Sequence, residues 1–432
     1  MEKLNMKYGR EVISVPIPEK NLLGVINANP FDLGKSEEEI ILDALNNPIA
    51  SAKLCKLVHS GETICIVISD VTRLWQRMNV YIKYIVEELK KAEIKDEDIT
   101  FLCAAGSHRA QTEEEIKKLL GDELAGKYKF VNHDCLDKNS LTYMGTTTYN
   151  NPIYLNKTAV EIDHVILTGG IVYHFLVGWG GGRKSVLPGI SAYETIMNNH
   201  ELSLSKDLGK GTLPSIKSGN IKDNPVHNDM LQAVNFLKPT FMFNSIIGSN
   251  GKICAAVAGN YIKAHEEGCR IVDKKDGVYI NELADMVIAS AAGYPKDINF
   301  YQSIKTVMNA VEALKPGGTM ILMSECSEGL GGDQDVKDML LNYTNTLDRE
   351  KALREKYTIA KFVGYYTCNI ADKYNFILVS NLDKELLKNT NIKVVKTIEE
   401  ALDIVYKEKG ENLTTYAMPY AANTFPILKN KN

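Results

Sequence analysis

The fold is decided by the stretch Ile64-Cys65-Ile66-Val67-Ile68-Ser69-Asp70, in which five consecutive apolar side chains are followed by two polar ones. An apolar run of this length, rich in β-branched residues, predicts a strand that is buried on both faces of a parallel sheet. The polar residues mark the point at which the strand leaves the sheet. The stretch therefore predicts a parallel strand with polar side chains at its carboxyl end.

The same arrangement occurs twice more along the chain. Residues 99–105 form a largely apolar run that precedes Gly106-Ser107-His108-Arg109, and residues 164–168, a predicted strand with three apolar residues at its centre, lead through Gly169-Gly170 to His174. Helical patterns follow the strands, and Thr112 with Glu115 gives the signature of a helix start. Repeated alternation of buried strands and helices predicts the α/β class.

Polar side chains at the ends of parallel strands are expected to lie together. Open parallel sheets bind ligands in the crevice beyond the carboxyl ends of their strands. We therefore expect Asp70, Arg73, His108, Arg109 and His174 to converge on one crevice, although up to about a hundred residues of chain separate them.

The segment from His174 to His200 carries most of the candidate chemistry. Three glycines, Gly180-Gly181-Gly182, precede Arg183-Lys184-Ser185, so the chain can turn tightly beside an amine. Ser191 and Glu194 match a capping box and predict a helix start that places His200 roughly two turns inside the helix. A Walker phosphate loop needs glycine directly before Lys184, and Arg183 stands there, which argues against a nucleoside-triphosphate site.

A second α/β region follows the first. Its predicted strands are residues 286–291, 319–324 and 375–380, and the first of them ends in Gly293-Tyr294-Pro295-Lys296-Asp297. Tyr301, Gln302 and Lys305 come next and share one face of a predicted helix. We predict two α/β domains with mostly parallel sheets facing an interdomain cleft, residues 1–268 and 269–432, with the chain ends allowed to cross between them.

Composition excludes several classes of protein. The 432 residues carry a formal net charge of −4 with a pI near 6.1, which does not suit a nucleic-acid partner. No apolar run reaches membrane length, and the first residues lack the apolar core of a signal peptide. The eight cysteines form no C-x-x-C pair, which argues against a zinc ribbon and favours a reducing cytoplasm.

Several motifs together resemble one known family. The chain is similar to the nickel-pincer-nucleotide-dependent racemases, whose type member is lactate racemase, and the resemblance covers roughly residues 10–425 in the family's order. The matching segments are residues 69–73, 106–109, 174–175, 181–189 and 199–200, Gly293-Tyr294-Pro295 with Asp297, and Tyr301-Gln302 with Lys305.

The resemblance implies an isomerase that inverts C2 of a 2-hydroxy acid, with lactate as the default substrate, by reversible hydride transfer to a cofactor. The implied cofactor is a pyridinium-3,5-bisthiocarboxylic acid mononucleotide that carries nickel. Lys184 would hold it covalently through a thioamide, and His200 would complete the nickel coordination, for which imidazole is a suitable ligand. The nucleotide would be held by Asp70, Thr72, Gly181, Gly182 and Pro188.

The resemblance also implies the residues that handle the substrate. His108 and His174 would be the paired acid/bases, a task that suits histidine because its ordinary pKa lies near neutrality. Arg73 and Lys305 would bind the substrate carboxylate, and Tyr301 and Gln302 would help to position substrate or cofactor. Cofactor-biosynthesis proteins would be partners, while oligomeric state is left open.

The chain departs from the family pattern in places, and alternatives stay open. Leu74-Trp75 follows Arg73 where the family usually has proline, and Tyr357 is the nearest candidate for an expected tryptophan. The substrate could be another short aliphatic 2-hydroxy acid, malate or a sugar acid. A non-catalytic nucleotide- or metal-binding protein is a further alternative, as is a zinc site built from His108, His174 and His200.

Overall fold

A computed structural model of the protein describes residues 2–429. Its strands in chain order are β1 (Glu2–Tyr8), β2 (Glu11–Ile17), β3 (Leu22–Val25), β4 (Ile64–Ser69), β5 (Ile99–Ala104), β6 (Lys129–Asn132), β7 (Leu141–Thr146), β8 (Pro152–Asn156), β9 (His164–Gly170), β10 (Tyr173–His174), β11 (Gly178–Trp179), β12 (Phe241–Ile247), β13 (Ile253–Gly259), β14 (Gly277–Ile280), β15 (Ala284–Ser290), β16 (Leu314–Met323), β17 (Asn375–Val379), β18 (Ile392–Val395), β19 (Thr415–Met418) and β20 (Phe425–Leu428).

The α-helices lie between these strands. They are α1 (Glu37–Asn46), α2 (Met78–Lys90), α3 (Glu113–Leu120), α4 (Lys157–Val160), α5 (Tyr193–Glu201), α6 (Pro225–Leu237), α7 (Lys263–Asp276), α8 (Phe300–Ala310), α9 (Gln334–Leu341), α10 (Thr346–Glu355), α11 (Ile359–Lys373) and α12 (Ile398–Lys409). Two short 3₁₀ helices, Val71–Gln76 and Gly182–Ser185, carry candidate site residues. Within residues 2–429, no helix is both long enough and apolar enough to span a membrane.

The chain divides into two compact units. The central unit contains Pro30–Ser203 and Ser215–Lys274, and the terminal unit contains the residues up to Asn29, Leu204–Pro214 and the residues from Lys275 onward. The predicted boundary at residues 268 and 269 thus lies six residues before the observed one. The residues before Pro30 group with the C-terminal part of the chain, a crossing that the prediction allowed, and Leu204–Pro214 also groups there.

The central unit is built around a six-stranded sheet in the order β13-β12-β9-β4-β5-β6. Only β12 and β13 pair antiparallel, and the other neighbours are parallel. All five apolar residues of the opening stretch are fully buried, as expected for an inner strand covered on both faces. Since β4 lies between β5 and β9, the strand order reverses beside β4, which is where open α/β sheets leave a crevice for ligands.

The terminal unit contains a second six-stranded sheet, in the order β18-β17-β16-β15-β19-β3, in which all neighbours are parallel. The edge strand β3 comes from the beginning of the chain and pairs with β19 near its end. This pairing explains why the first residues group with the C-terminal part. Both sheets agree with the predicted α/β class, while the predicted cleft between domains stays a prediction.

A candidate active site at the strand ends of the central unit

Asp70 lies directly after β4 and caps the 3₁₀ helix Val71–Gln76. Its Oδ1 accepts a hydrogen bond from the backbone N–H of Thr72 at 2.7 Å and another from the Thr72 hydroxyl. Only 4% of Asp70 is exposed. A buried carboxylate needs partners for both oxygens, because an unpaired buried charge is costly.

The second oxygen of Asp70 contacts His108, which follows β5 in a turn that Gly106 makes with a φ of +56°. His108 Nδ1 lies 2.8 Å from Asp70 Oδ2. Burial raises the pKa of Asp70, but the hydrogen bonds from His108 and Thr72 outweigh it, so the pKa lies below its usual value. Since the ionised carboxylate only accepts, Nδ1 carries the proton and the lone pair of a neutral ring lies on Nε2. Nearly half of the His108 side chain is exposed, at 48%.

The two arginines beside these residues differ in their surroundings. Arg73 Nη1 donates to the Thr72 hydroxyl at 2.8 Å and is half-buried beside Asp70. Arg109 instead forms a bidentate pair with Glu115, at 2.7 and 2.6 Å, near the start of α3. Arg109 therefore stabilises a helix start, whereas Arg73 is the arginine that lies near Asp70 beyond the end of β4.

His174 lies in the short hairpin formed by β10 and β11, four residues beyond β9. The backbone N–H of Leu176 donates to its Nδ1 at 3.2 Å, and its Nε2 lies 2.7 Å from Lys184 Nζ. Phe175 stacks on the ring with the centroids 5.0 Å apart. Both ring nitrogens of His174 thus have partners, and one of them is the candidate attachment lysine.

The glycines before Lys184 allow the loop to lie against the protein interior. Gly181 and Gly182 have φ values of +72° and +52°, and the Gly182 N–H donates to Asn244 Oδ1 at 2.8 Å. A Cβ on Gly181 would lie 2.5 Å from that same oxygen, and a Cβ on Gly182 would lie 2.8 Å from the ring of His265. Larger residues at these positions would push the loop, and Lys184 with it, away from the sheet.

Arg183 fixes the loop from the protein interior, because its side chain is buried. It donates to the carbonyls of Val177 and Trp179 at 2.7 and 3.1 Å. His265 Nε2 donates to the Gly180 carbonyl at 2.8 Å, and its Nδ1 lies 3.4 Å from Arg183 Nη1. Burial lowers the pKa of Arg183 to about 10 and that of His265 to about 3.

Pro188 lies in the turn after Lys184 and connects this loop to the His108 loop. The Gly106 N–H donates to the Gly189 carbonyl at 2.9 Å, and a Cβ on Gly106 would lie 3.5 Å from the Pro188 carbonyl oxygen. The loops that carry His108 and Lys184 are therefore joined directly. Asp70 contacts His108, and His174 contacts Lys184. These four side chains therefore lie at the same edge of the central sheet.

His200 is buried in the last turn of α5, with 5% of its surface exposed. Its Nδ1 donates to the Ile196 carbonyl at 2.8 Å, which leaves the lone pair of the neutral ring on Nε2. Burial lowers the pKa of His200 to about 4. The ring is therefore neutral at physiological pH.

The predicted capping box at the start of this helix is wrong. The N-cap of α5 is Ala192, which makes no side-chain cap, and the Ser191 hydroxyl instead donates to the Val186 carbonyl at 2.8 Å. The position of α5 is set by buried Asp229, which accepts from Asn199 and Asn151 at 2.8 Å each. A tertiary hydrogen bond has replaced the local one that the sequence pattern predicted.

The remaining predicted substrate residues belong to the terminal unit. Tyr301, Gln302 and Lys305 lie on α8, which Asn299 caps through its bond from the Gln302 N–H at 3.0 Å. Tyr301 is half-buried, and Gln302 and Lys305 are exposed, so the predicted shared face is present. Tyr357 is buried and packs against Phe362 with the ring centroids 6.0 Å apart.

Sequence reasoning missed the residues that support the lysine loop. Asn244 and His265 contact it from 62 and 85 residues further along the chain, measured from Gly182 and Gly180 respectively. Asn244 had a detectable signal, because a polar residue inside the apolar run of β12 needs a partner when it is buried. In the described part of the chain, no group of three or more His, Cys, Asp or Glu side chains could hold a metal ion, so the three-histidine zinc site is not formed.

Comparisons with known proteins agree on one family. Residues 8–211 match the model for the lactate racemase N-terminal domain, and residues 280–423 match the model for the lactate racemase C-terminal domain. The chain is 34% identical to a lactate racemase of Thermoanaerobacterium thermosaccharolyticum over 335 residues, which is 77% of this chain and 76% of that protein.

Two further relatives cover nearly the whole chain. A lactate racemase of Lactiplantibacillus plantarum is 31% identical over 431 residues, which is 97% of this chain and 98% of that protein. The solved structure of the lactate racemase apoprotein from Thermoanaerobacterium thermosaccharolyticum is similar with a TM-score of 0.88 at 29% identity, and it covers 99% of this chain and 100% of that one.

Proposed function

We propose, from the premise that this chain belongs to the lactate racemase family of isomerases, that it inverts C2 of a 2-hydroxy acid and that lactate is the substrate to test first. The observation that carries the proposal is the gathering of Asp70, His108, His174 and Lys184 at one edge of the central sheet. This set contains two imidazoles for proton transfer and one amine for attachment of a cofactor.

His108 is the first proposed acid/base, and its hydrogen bond to Asp70 determines which ring nitrogen carries the proton. Inversion at C2 requires the proton of the substrate hydroxyl to leave and return, and a base of near-neutral pKa suits this task. Asp70 holds the proton on Nδ1, so Nε2 has the lone pair that accepts the hydroxyl proton. Asp70 then stabilises the imidazolium that forms, because the carboxylate stays ionised. His174 is the proposed second acid/base, for the opposite enantiomer.

The substrate carboxylate is assigned to cationic side chains. Arg73 lies beside Asp70, and its planar guanidinium is suited to bidentate binding of a carboxylate. Lys305, which is exposed on α8, is the second proposed carboxylate contact, and Tyr301 and Gln302 are proposed to position substrate or cofactor. Asp70 was also predicted to contact the nucleotide, but its hydrogen bonds to Thr72 and His108 favour a role in positioning His108.

The residues present fit the nickel-pincer nucleotide that the family implies. His200 offers a neutral ring with the lone pair on Nε2 while Nδ1 is tied to a backbone carbonyl, as metal-binding histidines commonly do. A metal held by one such ligand needs other donors, and the sulfur and carbon atoms of the cofactor would provide them. When bound, the cofactor would supply a hydride acceptor and donor for C2 of the substrate.

Lys184 would hold the cofactor covalently, and Thr72, Gly181, Gly182 and Pro188 would lie against the nucleotide. The loop suits this role because hydrogen bonds with Asn244, Arg183 and His265 fix its backbone. Proteins that make the cofactor would be the partners of this chain, and a cytoplasmic location would suit that dependence.

The experiment uses protein produced together with the genes that make the cofactor, with the Lys184 adduct checked by intact mass. Single enantiomers of lactate, 2-hydroxybutyrate, malate and gluconate are incubated with it, and the mirror form or epimer is followed by chiral chromatography. Conversion of lactate is expected. Failure to convert any substrate, with adduct and nickel present, would contradict the proposal.

A matched pair of variants distinguishes an enzyme from a carrier. His108→Asn is expected to lower racemisation by at least about 100-fold, the usual scale for a lost acid/base, while adduct and nickel stay bound. His59→Asn, at an exposed histidine of the same unit, should behave as the wild type. A non-catalytic carrier would have no turnover for His108→Asn to remove.

A further inference from the structure

His174 is in contact with Lys184, the lysine that is proposed to carry the cofactor. The distance from Lys184 Nζ to His174 Nε2 is 2.7 Å, and both side chains are half-buried. An imidazole beside an amine that must become acylated is a group that can control the reactivity of that amine.

The second partner of His174 determines which way the hydrogen bond runs. The backbone N–H of Leu176 can only donate, and it donates to Nδ1 at 3.2 Å. A neutral imidazole has one N–H and one acceptor nitrogen, so a ring that accepts at Nδ1 carries its proton on Nε2. That Nε2–H points at Lys184 Nζ. An ammonium group has no lone pair with which to accept it, whereas a neutral amine has one.

We propose that His174 holds Lys184 as a neutral amine and thereby prepares it to attack the cofactor, a role that precedes and is separate from acid/base chemistry on the substrate. The inference rests on the proposed attachment of the cofactor at Lys184. It makes this loop a self-modification site, in which the chain acylates its own lysine.

The attachment step balances without any further reactant. A thiocarboxylic acid and an amine condense to a thioamide and water. The Lys184 nitrogen forms a bond to the thiocarboxylic carbon, and the carbon–oxygen bond breaks. The oxygen leaves as water with one proton from the amine and one from the thioacid, and no electrons are exchanged. The nucleophile must be the neutral amine, because an ammonium nitrogen has no lone pair.

The buried support of the loop serves the same step. Asn244 accepts a hydrogen bond from the Gly182 N–H. Arg183 donates to the Trp179 carbonyl, and His265 donates to the Gly180 carbonyl. These contacts hold the backbone two residues before Lys184, so the amine stays within reach of His174. Acylation removes the lone pair that accepts from Nε2–H, which releases His174 from Lys184 for its second role.

The first test uses the apoprotein and a small amine reagent. Limiting acetic anhydride is added at pH 7, and acetylation of each lysine is measured by peptide mass spectrometry. An ordinary lysine is neutral in only about one molecule in 2,500 at this pH. Lys184 is expected to react at least about tenfold faster than the exposed Lys118 and Lys138 of the same unit, although it is half-buried. An equal or slower rate would overturn the inference, and this comparison needs no variant.

The second test separates His174 from burial as the cause. In His174→Phe, Lys184 should react no faster than Lys118 and Lys138, whereas His59→Phe, at an exposed position, should leave the Lys184 rate unchanged. Fast labelling that persists in His174→Phe would overturn the inference. With the cofactor-making genes present, intact mass should show the adduct reduced at least about tenfold in His174→Phe but retained in His108→Asn.

These readouts do not depend on racemisation, so the two proposals can fail separately. Fast, His174-dependent labelling in a protein that converts no 2-hydroxy acid would support the inference and contradict the proposed function. Racemisation by a protein whose Lys184 labels like an ordinary lysine would support the proposed function and overturn the inference.

Discussion

Asp70 and His108 show how one hydrogen bond assigns chemistry to a side chain. His108 is nearly half exposed and would be an ordinary surface histidine without its partner, whereas Asp70 is almost fully buried. Because the carboxylate is held from the other side by Thr72, it presents a fixed oxygen to Nδ1. The exposed nitrogen of the ring is consequently the one with the lone pair.

The substitution Asp70→Asn tests this arrangement. The amide cannot stabilise the imidazolium, and its NH₂ group can favour the opposite tautomer, so kcat is expected to fall on the order of 100-fold. The rate of racemisation is measured by chiral chromatography at saturating substrate.

Asp122→Asn is the control for Asp70→Asn, because Asp122 is an exposed carboxylate of the same unit that pairs with Lys117. It should leave kcat unchanged. An Asp70→Asn protein with the wild-type kcat would show that the carboxylate has no influence on the proton transfer.

At the scale of elements, the loop from Gly180 to Lys184 is constrained by what lies beneath it rather than by its own sequence. Gly182 and Gly251 both have positive φ, +52° and +75°, so a side chain is strained at either. Only at Gly182 is there an obstacle, because a Cβ on Gly251 would meet nothing within 4 Å. The two positions therefore separate backbone strain from close packing.

Gly182→Ala and Gly251→Ala are predicted to differ. Each should lose about 1 kcal/mol of unfolding free energy from the left-handed backbone. Gly182→Ala should lose roughly a further 1–3 kcal/mol because His265 must move. Chemical denaturation measures both. Intact mass should show impaired cofactor attachment in Gly182→Ala alone, and equal attachment in the two variants would mean that the loop tolerates the displacement.

Across the whole molecule, buried neutral histidines are concentrated in the central unit. Burial lowers the pKa of His133, lowers that of His227 to about 2, and lowers that of His265 to about 3. In the unfolded chain these rings have their ordinary pKa near 6.5. Between the two values the unfolded state binds more protons than the folded one. Folding stability is therefore fully present above about pH 6.5 and is lost as the pH falls toward the folded-state values.

Unfolding free energy should consequently fall by about 1.4 kcal/mol per pH unit below pH 6 for each of His227 and His265. Thermal or urea unfolding between pH 7 and 4.5 measures this slope. His227→Gln should reduce the slope by about 1.4 kcal/mol per pH unit, the contribution of one bound proton. The control His59→Gln, at an exposed position, should leave the slope unchanged. A slope that His227→Gln leaves unchanged would mean that His227 is not buried neutral in the native state.

The α/β class and the main strands could be predicted from the sequence because their signals are local. Five adjacent apolar residues, Ile64 to Ile68, predict a buried strand whatever surrounds them, and β4, β5 and β9 begin at the residues where the sequence predicts these strands to begin. The family was recognisable because the motif that contains Lys184 is one of several short motifs that occur in the family's order.

Contacts between distant parts of the chain were decided only by the tertiary structure. Asp70 and His108 are 38 residues apart, and β3 pairs with β19 from the other end of the chain. Asn244 in β12 and His265 in α7 contact the lysine loop, and nothing in the local sequence of either element predicts that contact. The physical reason is that periodicity and capping act within a few residues, whereas the choice of a hydrogen-bond partner depends on which strands become neighbours in the folded sheet.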